Sequence, residues 1–241
     1  IWGSLPDFPL TFPKTYSSII ESPTTITLSF LILSCNSNSD NIKLPNDIRW
    51  VVKSKEYDIL CEQIYNTAWG KLSRLLKNSD SNSCIVMDLD ETVLDNSKYQ
   101  IDLTKKGESY NPESWSEWVN LKEAELVPGA KNFIDNVKKT NVKIVFLSNR
   151  MDKNKMPTIE NMEKLSIVDS DDIFLLRLNK EDKKHVRRSE IINGDGRFSE
   201  IGPLKVLAYF GDARHDFPEN DDNFTFGQNM FMFPNPMYGK W

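Results

Sequence analysis

The chain has 241 residues, 39% of them hydrophobic and 27% charged, with a formal net charge of −5 at pH 7. That length holds one domain, or one domain with a tail, and the apolar fraction supports a packed core, which excludes wholesale disorder. The negative balance argues against a general nucleic-acid or anionic-membrane binder, no apolar run reaches the roughly 20 residues that span a bilayer, and three cysteines are too few for a disulfide scaffold.

Ile1–Glu21 is punctuated by prolines, shows no period and stays unassigned. Thr24–Ser34, TTITLSFLILS, has the length of a signal-peptide core and is followed at once by Cys35 and the polar run NSNSDN. Ile32-Leu33-Ser34-Cys35 resembles a bacterial lipobox, in which cleavage before the cysteine leaves it as the lipidated N-terminus. The leader is atypical, because its one upstream cation is Lys14 and Glu21 lies nearer the apolar stretch. The expected organisation is a lipoprotein leader over residues 1–35, a flexible tether over 36–46 and a folded domain over 47–241. Lipid on Cys35 would anchor that domain to the bacterial cell envelope, at the outer membrane. The alternative is a buried N-terminal strand with an ordinary cysteine. Cys61 and Cys84 read as buried free thiols.

Asn46 or Asp47 is expected to cap one helix running through Leu76, with Trp50, Tyr57, Leu60, Ile64 and Ala68 on its apolar face. Residues 78–83 read as a turn, and Cys84–Met87 as a strand buried on both faces. Lys98–Asn111 reads as a polar loop. Asn111-Pro112 opens a helix, and Pro128-Gly129-Ala130 opens another that ends near Thr140. Val142–Leu147, Ile173–Leu176 and Val206–Phe210 read as further strands, and Phe231–Phe233 as a fifth. Helices are expected over Met156–Leu165 and Glu181–Ile192. Short apolar strands alternating with helices predict an α/β fold with a mainly parallel sheet, whose sites form beyond the carboxyl ends of the strands.

The residues at those ends form an ordered series. Asp88-Leu89-Asp90-Glu91-Thr92 follows the first strand, and Ser148-Asn149-Arg150 the second. Lys183, Lys184 and Arg187 ride on the helix after the third, and Gly211-Asp212 follows the fourth, continuing to Asp216. Singly each is weak: a DxD pair is often a solvated turn, a serine a helix cap, a Gly-Asp a turn. Together they specify a chemistry. Converging carboxylates repel unless a cation joins them, and an oxygen-only set without a His or Cys cluster suits a hard ion such as Mg²⁺. Ser148 can donate to a phosphoryl oxygen and Lys184 can offset its charge, as phosphoryl transfer requires.

CIVMDLDETVLDNS, LSNR, the Lys184–Arg187 helix and GDARHD resemble the four motifs of the haloacid dehalogenase superfamily. Within it the chain resembles the class C acid phosphatases, the lipoprotein e(P4) family of 5′-nucleotidases. The likeness runs from RWVVKSKEYDILCEQIYNTAW through SWSEWVNLKEAELVPGA to PNPMYGKW. The resemblance implies a Rossmann-like parallel sheet flanked by helices with a small helical cap. It implies Asp88 as nucleophile forming an aspartyl-phosphate, and Asp90 as the acid that protonates the leaving group and then activates water. Mg²⁺ would be held by the Asp88 carboxylate, the Asp90 carbonyl and the Asp212 carboxylate, with Asp216 behind, holding a metal water or Lys184. Ser148 takes the motif-two place, and Lys184 that of the motif-three lysine, with Lys183 one residue away. Asn149, Trp115 and Tyr238 fall at substrate positions, the two rings sandwiching a base, while Trp118 reads as packing.

The expected activity is Mg²⁺-dependent hydrolysis of phosphomonoesters, including nucleoside monophosphates and nicotinamide mononucleotide. An acidic optimum is expected because Asp90 must carry a proton when substrate binds. Alternatives are a phosphotransferase on the same site, or a non-catalytic surface-binding lipoprotein. No nucleic-acid partner is expected, and a homodimer is left open. His185 and His215 need no catalytic role. NGDGRFSEIGPLK is longer than the family's usual connection, and the family pattern continues past the point where this chain stops at Trp241, so C-terminal completeness is also left open.

Overall fold

The structure is a computed structural model that describes residues 43–219 and 221–239. The leader, Cys35 and the first part of the tether lie outside the described residues.

Strand β1 (Ser83–Met87) is buried along its whole length and forms the centre of a five-stranded sheet. β4 (Lys143–Met151) and β5 (Ile173–Arg177) extend one side of it, β6 (Lys205–Gly211) and β7 (Met230–Met232) the other, and every pairing is parallel. Side chains alternate across a strand. Ile85 and Met87 therefore join the core on one face with Tyr65, Phe133 and Phe210, while Cys84 and Val86 join the other with Leu175, Ile191 and Phe217. Burial on both faces explains why these strands read as continuous apolar runs. Cys61 and Cys84 are free, buried thiols as expected.

The long first helix is two. α1 (Asn46–Lys53) stops at Ser54, whose backbone is extended. The Ser54 Oγ accepts the N–H groups of Glu56 and Tyr57, at 3.1 and 3.3 Å, and so caps α2 (Lys55–Lys77). A serine that bonds the next turn offers the backbone an alternative to continuing the helix. Asn46 and Asp47, expected as caps, lie inside the first turn of α1, after Pro45. The buried stripe of α2 is Tyr57, Cys61, Tyr65, Ala68, Leu72 and Leu76, which turns Leu60 and Ile64 to its flank.

Between β1 and β4 lies the small cap: α3 (Ser97–Lys106), α4 (Pro112–Leu121) and an antiparallel pair, β2 (Leu94–Asp95) with β3 (Glu125–Leu126). The expected loop over Lys98–Asn111 is thus mostly helix. Tyr99 and Leu103, four residues apart, bury one face of α3, and Gly107 ends it at φ 65°, a left-handed conformation suited to glycine. The Asn111 side chain accepts from the Ser114 N–H and caps α4 as predicted. The remaining helices are α5 (Ala130–Val137), α6 (Lys155–Lys164) and α7 (Lys184–Asn193). No helix among the described residues is long and apolar enough to cross a membrane.

Candidate active site

Chain order reverses at β1, with β4 on one side and β6 on the other. That switch point opens a crevice beyond the strand ends, and the predicted series converges there. The Asp88 N–H donates to the Phe210 carbonyl at 2.9 Å, which locks the residue after β1 to β6. Lys184, the first residue of α7, is buried, and its Nζ lies 2.5 Å from both Asp88 Oδ1 and Asp216 Oδ1. Lys183 is exposed, so of the two adjacent lysines it is Lys184 that reaches Asp88. Asp216 holds that lysine, one of the two roles expected of it. Gly211 is required beside it, because a Cβ there would overlap the Asp216 side chain.

Carboxylate oxygens of Asp88, Asp212 and Asp216 come within 4.8 Å of one another. Burial, with Asp216, Asp212 and Asp90 nearby, pushes the Asp88 carboxyl well above the usual carboxylate range despite Lys184. Burial and Asp216 push Asp212 up to about 6, against the hydrogen bond from Asn235. Burial disfavours the Lys184 charge, but Asp216 and Asp88 outweigh it and raise the pKa. Crowded hard-oxygen donors in a buried site suit a divalent cation.

Asp90 is fixed differently. Its Oδ1 accepts from Arg150 Nε at 2.9 Å and Asn96 Nδ2 at 3.0 Å, and Arg150 Nη2 lies 2.8 Å from it as an ion pair. Ser148 Oγ lies 3.4 Å from Oδ2. The immediate partner of Asp90 is therefore a cation, not another carboxylate. Arg150 is buried, and its guanidinium also lies 5.7 Å from the centre of the Trp115 ring. Trp115 is half-buried and meets Tyr99 edge-on at 5.1 Å. Trp118 is a packing residue, as expected, buried with its Nε1 on Asn96 Oδ1 at 2.9 Å. Tyr238 is half-buried, follows β7 in the chain, and makes no ring contact with Trp115. Arg187 is buried one turn along α7 from Lys184. It donates to the Ser148 carbonyl at 2.5 Å and to Asn149 Oδ1 at 2.7 Å, and Asn149 Nδ2 meets His215 Nε2 at 3.1 Å.

Residues 36–241 match the family described as HAD superfamily, subfamily IIIB (acid phosphatase). Two solved structures of the class C acid phosphatase from Bacillus anthracis are similar. The one with tungstate bound is 32% identical with a TM-score of 0.66, the other 31% identical with a TM-score of 0.67. In each case the match covers 80% of this chain and 84% of the other. The chain belongs to the HAD subfamily IIIB acid phosphatases.

This acid phosphatase is a phosphomonoesterase on an α/β parallel-sheet fold. The sequence places Arg150 in the ordered series without a role, and does not single out Asn96 or Asn235. Arg150 stands beside Ser148 and Asn149 in the second motif, and that position was the available signal. Asn96 lies within the first motif, six residues from Asp90, and that position was its signal; the bond from Asn235 to Asp212 spans 23 residues and leaves no local signal.

The raised Asp212 pKa has a testable consequence. In the metal-free protein the folded state binds protons more tightly than the unfolded state. This contribution to stability is complete below the ordinary Asp pKa of ~3.9 and is lost as pH rises through about 6. A divalent cation held by these carboxylates would have to displace those protons. A rise in Tm from such a cation is therefore expected to be largest above pH 7 and to shrink steadily from pH 6 to pH 4, as read by thermal unfolding with added divalent cation or EDTA. A pH-independent rise would contradict the assignment.

Proposed function

We propose that this acid phosphatase is a Mg²⁺-dependent, 5′-nucleotidase-like enzyme that works through an aspartyl-phosphate on Asp88. Asp88 attacks phosphorus in line while the bond to the ester oxygen breaks, and Asp90 gives its proton to the departing alkoxide. Asp90 then takes a proton from the water that attacks the aspartyl-phosphate, and inorganic phosphate leaves. Ser148 donates to a phosphoryl oxygen, Lys184 offsets its charge, and Asn149 at the rim contacts the substrate. The Asp88 carboxylate, the Asp90 carbonyl and the Asp212 carboxylate would hold Mg²⁺, which when bound supplies positive charge against the phosphoryl oxygens.

The observation that carries the nucleotide reading is Arg150. One guanidinium holds Asp90 and also lies against Trp115, so the leaving-group acid and an aromatic platform form one unit. A base on Trp115, with Tyr238 opposite, gains about 1–3 kcal/mol per ring with little regard to which base it is. The tetrahedral oxyanion tungstate in the Bacillus anthracis relative is consistent with a phosphate-sized site.

The test is phosphate release at acidic pH from nicotinamide mononucleotide, AMP and p-nitrophenyl phosphate, each with Mg²⁺ and with excess EDTA. Metal-dependent release that favours the nucleotides is expected, and silence on all three from folded, metal-loaded protein would overturn the reading. Added alcohols that yield new phosphoesters would reveal phosphotransfer instead. Trp115→Ala is expected to raise KM for AMP by about 5- to 150-fold, and far less for p-nitrophenyl phosphate. Equal effects on both would make Trp115 a packing residue.

An envelope location belongs to the same proposal and rests on Thr24–Cys35 alone. Fatty-acid labelling in bacteria that disappears in Cys35→Ser would support it; unlabelled protein would remove it.

A further inference from the structure

Asn235 stands between two parts of the site that the sequence keeps apart. Its Nδ2 donates to Asp212 Oδ2 at 2.7 Å, and its Oδ1 accepts the N–H groups of Met237 at 3.1 Å and Tyr238 at 3.4 Å. The amide orientation follows from its partners. Reversed, it would set carbonyl oxygen against carboxylate oxygen and NH₂ against two N–H donors. Pro236 has no N–H, so the turn closes on the two residues after it. The segment is also docked on the same strand end, because the Phe233 N–H donates to the Gly211 carbonyl at 2.9 Å, next to Asp212. Met237 packs on the main core, while the next residue, Tyr238, is half-buried and held by its N–H.

One side chain therefore ties a carboxylate of the cation site to the backbone that carries a substrate ring. An aspartate could not replace it, since it has no donor for Asp212 and would add a like charge. The bond to Oδ2 restrains the orientation of the Asp212 carboxylate, one of the three that cluster as candidate cation ligands. We infer that Asn235 is a positioning residue that couples divalent-cation binding at Asp212 to the placement of Tyr238, so that cation and nucleoside bind cooperatively. The nucleoside half rests on the proposed nucleotide specificity; the link from cation to backbone does not. Such coupling is reciprocal: whatever factor the cation adds to nucleoside affinity, the nucleoside adds to cation affinity.

Two readouts test it on the full chain without turnover. The first is hydrogen exchange at the Met237 and Tyr238 amides with Mg²⁺ or EDTA, with amides of β1 and β4 as the control for global stabilisation. The second is the affinity for adenosine, which lacks a phosphate and so does not itself meet the cation. In the unaltered protein Mg²⁺ is expected to slow exchange at 237–238 more than at the control amides and to tighten adenosine by about 5-fold or more. In Asn235→Ala both effects should vanish while Mg²⁺ still raises Tm. Asn235→Gln, which keeps the amide but moves it by one methylene, gives the same comparison should the alanine variant fold poorly. No selective protection in the unaltered protein, or protection that survives in either variant, overturns the inference. Selective protection lost in the variants, with no adenosine binding at all, upholds the link and removes the nucleotide reading instead.

Discussion

Asp88→Asn is expected to leave no measurable phosphate release while the protein stays folded. Hydrolysis of phosphate monoesters is among the slowest uncatalysed reactions, for which enzymes supply up to ~10²¹-fold. An enzyme that divides it into two displacements on one carboxylate has no partial substitute for that group. Removing a nucleophile typically lowers kcat by about 10⁶-fold. The structure separates this loss from misfolding. Asp88 is buried among Asp90, Asp212 and Asp216, and burial and their charge drive its carboxyl well up, so a neutral amide of the same shape relieves repulsion even as it weakens the bond to Lys184. A Tm close to that of the unaltered protein, with activity at background, is the expected pair of results. Substantial turnover by a clean preparation would show that another residue is the nucleophile.

Lys184→Met carries the largest expected stability effect. Its ammonium bridges Asp88 and Asp216, all three side chains being nearly inaccessible to water. Removing one partner of a buried ion pair costs about 3–5 kcal/mol, because the remaining charge is left without compensation. For a domain of this size each kcal/mol moves Tm by roughly 2–4 °C, so a fall of about 6–20 °C is expected in EDTA at neutral pH. A carboxyl whose pKa is already raised can take up a proton in place of the lost cation, so the deficit should shrink as pH falls. Mg²⁺ should stabilise the variant more than the unaltered protein, since it restores positive charge between the carboxylates. Unchanged Tm in EDTA at pH 7.5 would mean that the bridge contributes little. Turnover should fall as well, because no cation would remain at that place to meet the phosphoryl charge.

Asp88 and Lys184 are both residues that the chain's own pattern singles out. The strands are visible in it because a parallel strand buried on both faces must be largely apolar, as Cys84–Met87, Ile144–Leu147 and Val206–Phe210 are. Asp88 and Asp212 follow those runs directly, while Ser148 lies within the observed span of β4, so finding the strands finds them. Where the sequence misleads, a local competitor prevails. The hydroxyl of Ser54 captures two backbone N–H groups and breaks a periodic helix, and Tyr99 with Leu103 suffices to fold an otherwise polar stretch once a core lies beneath them.

By itself the sequence determined the strand pattern, the ordered motif residues and hence the phosphatase family, because these depend on periodicity and on residues placed next to periodic runs. Tertiary structure alone decided which of two adjacent lysines enters the site, for Lys183 and Lys184 differ only in the direction they take from the start of α7. It also decided that Arg150 serves Asp90 and Trp115 together and that Asn235 reaches Asp212. Their partners lie 60 and 23 residues away, and no local pattern encodes which polar groups meet once the strand ends converge. A buried charge or amide must find a partner, but the fold chooses which one.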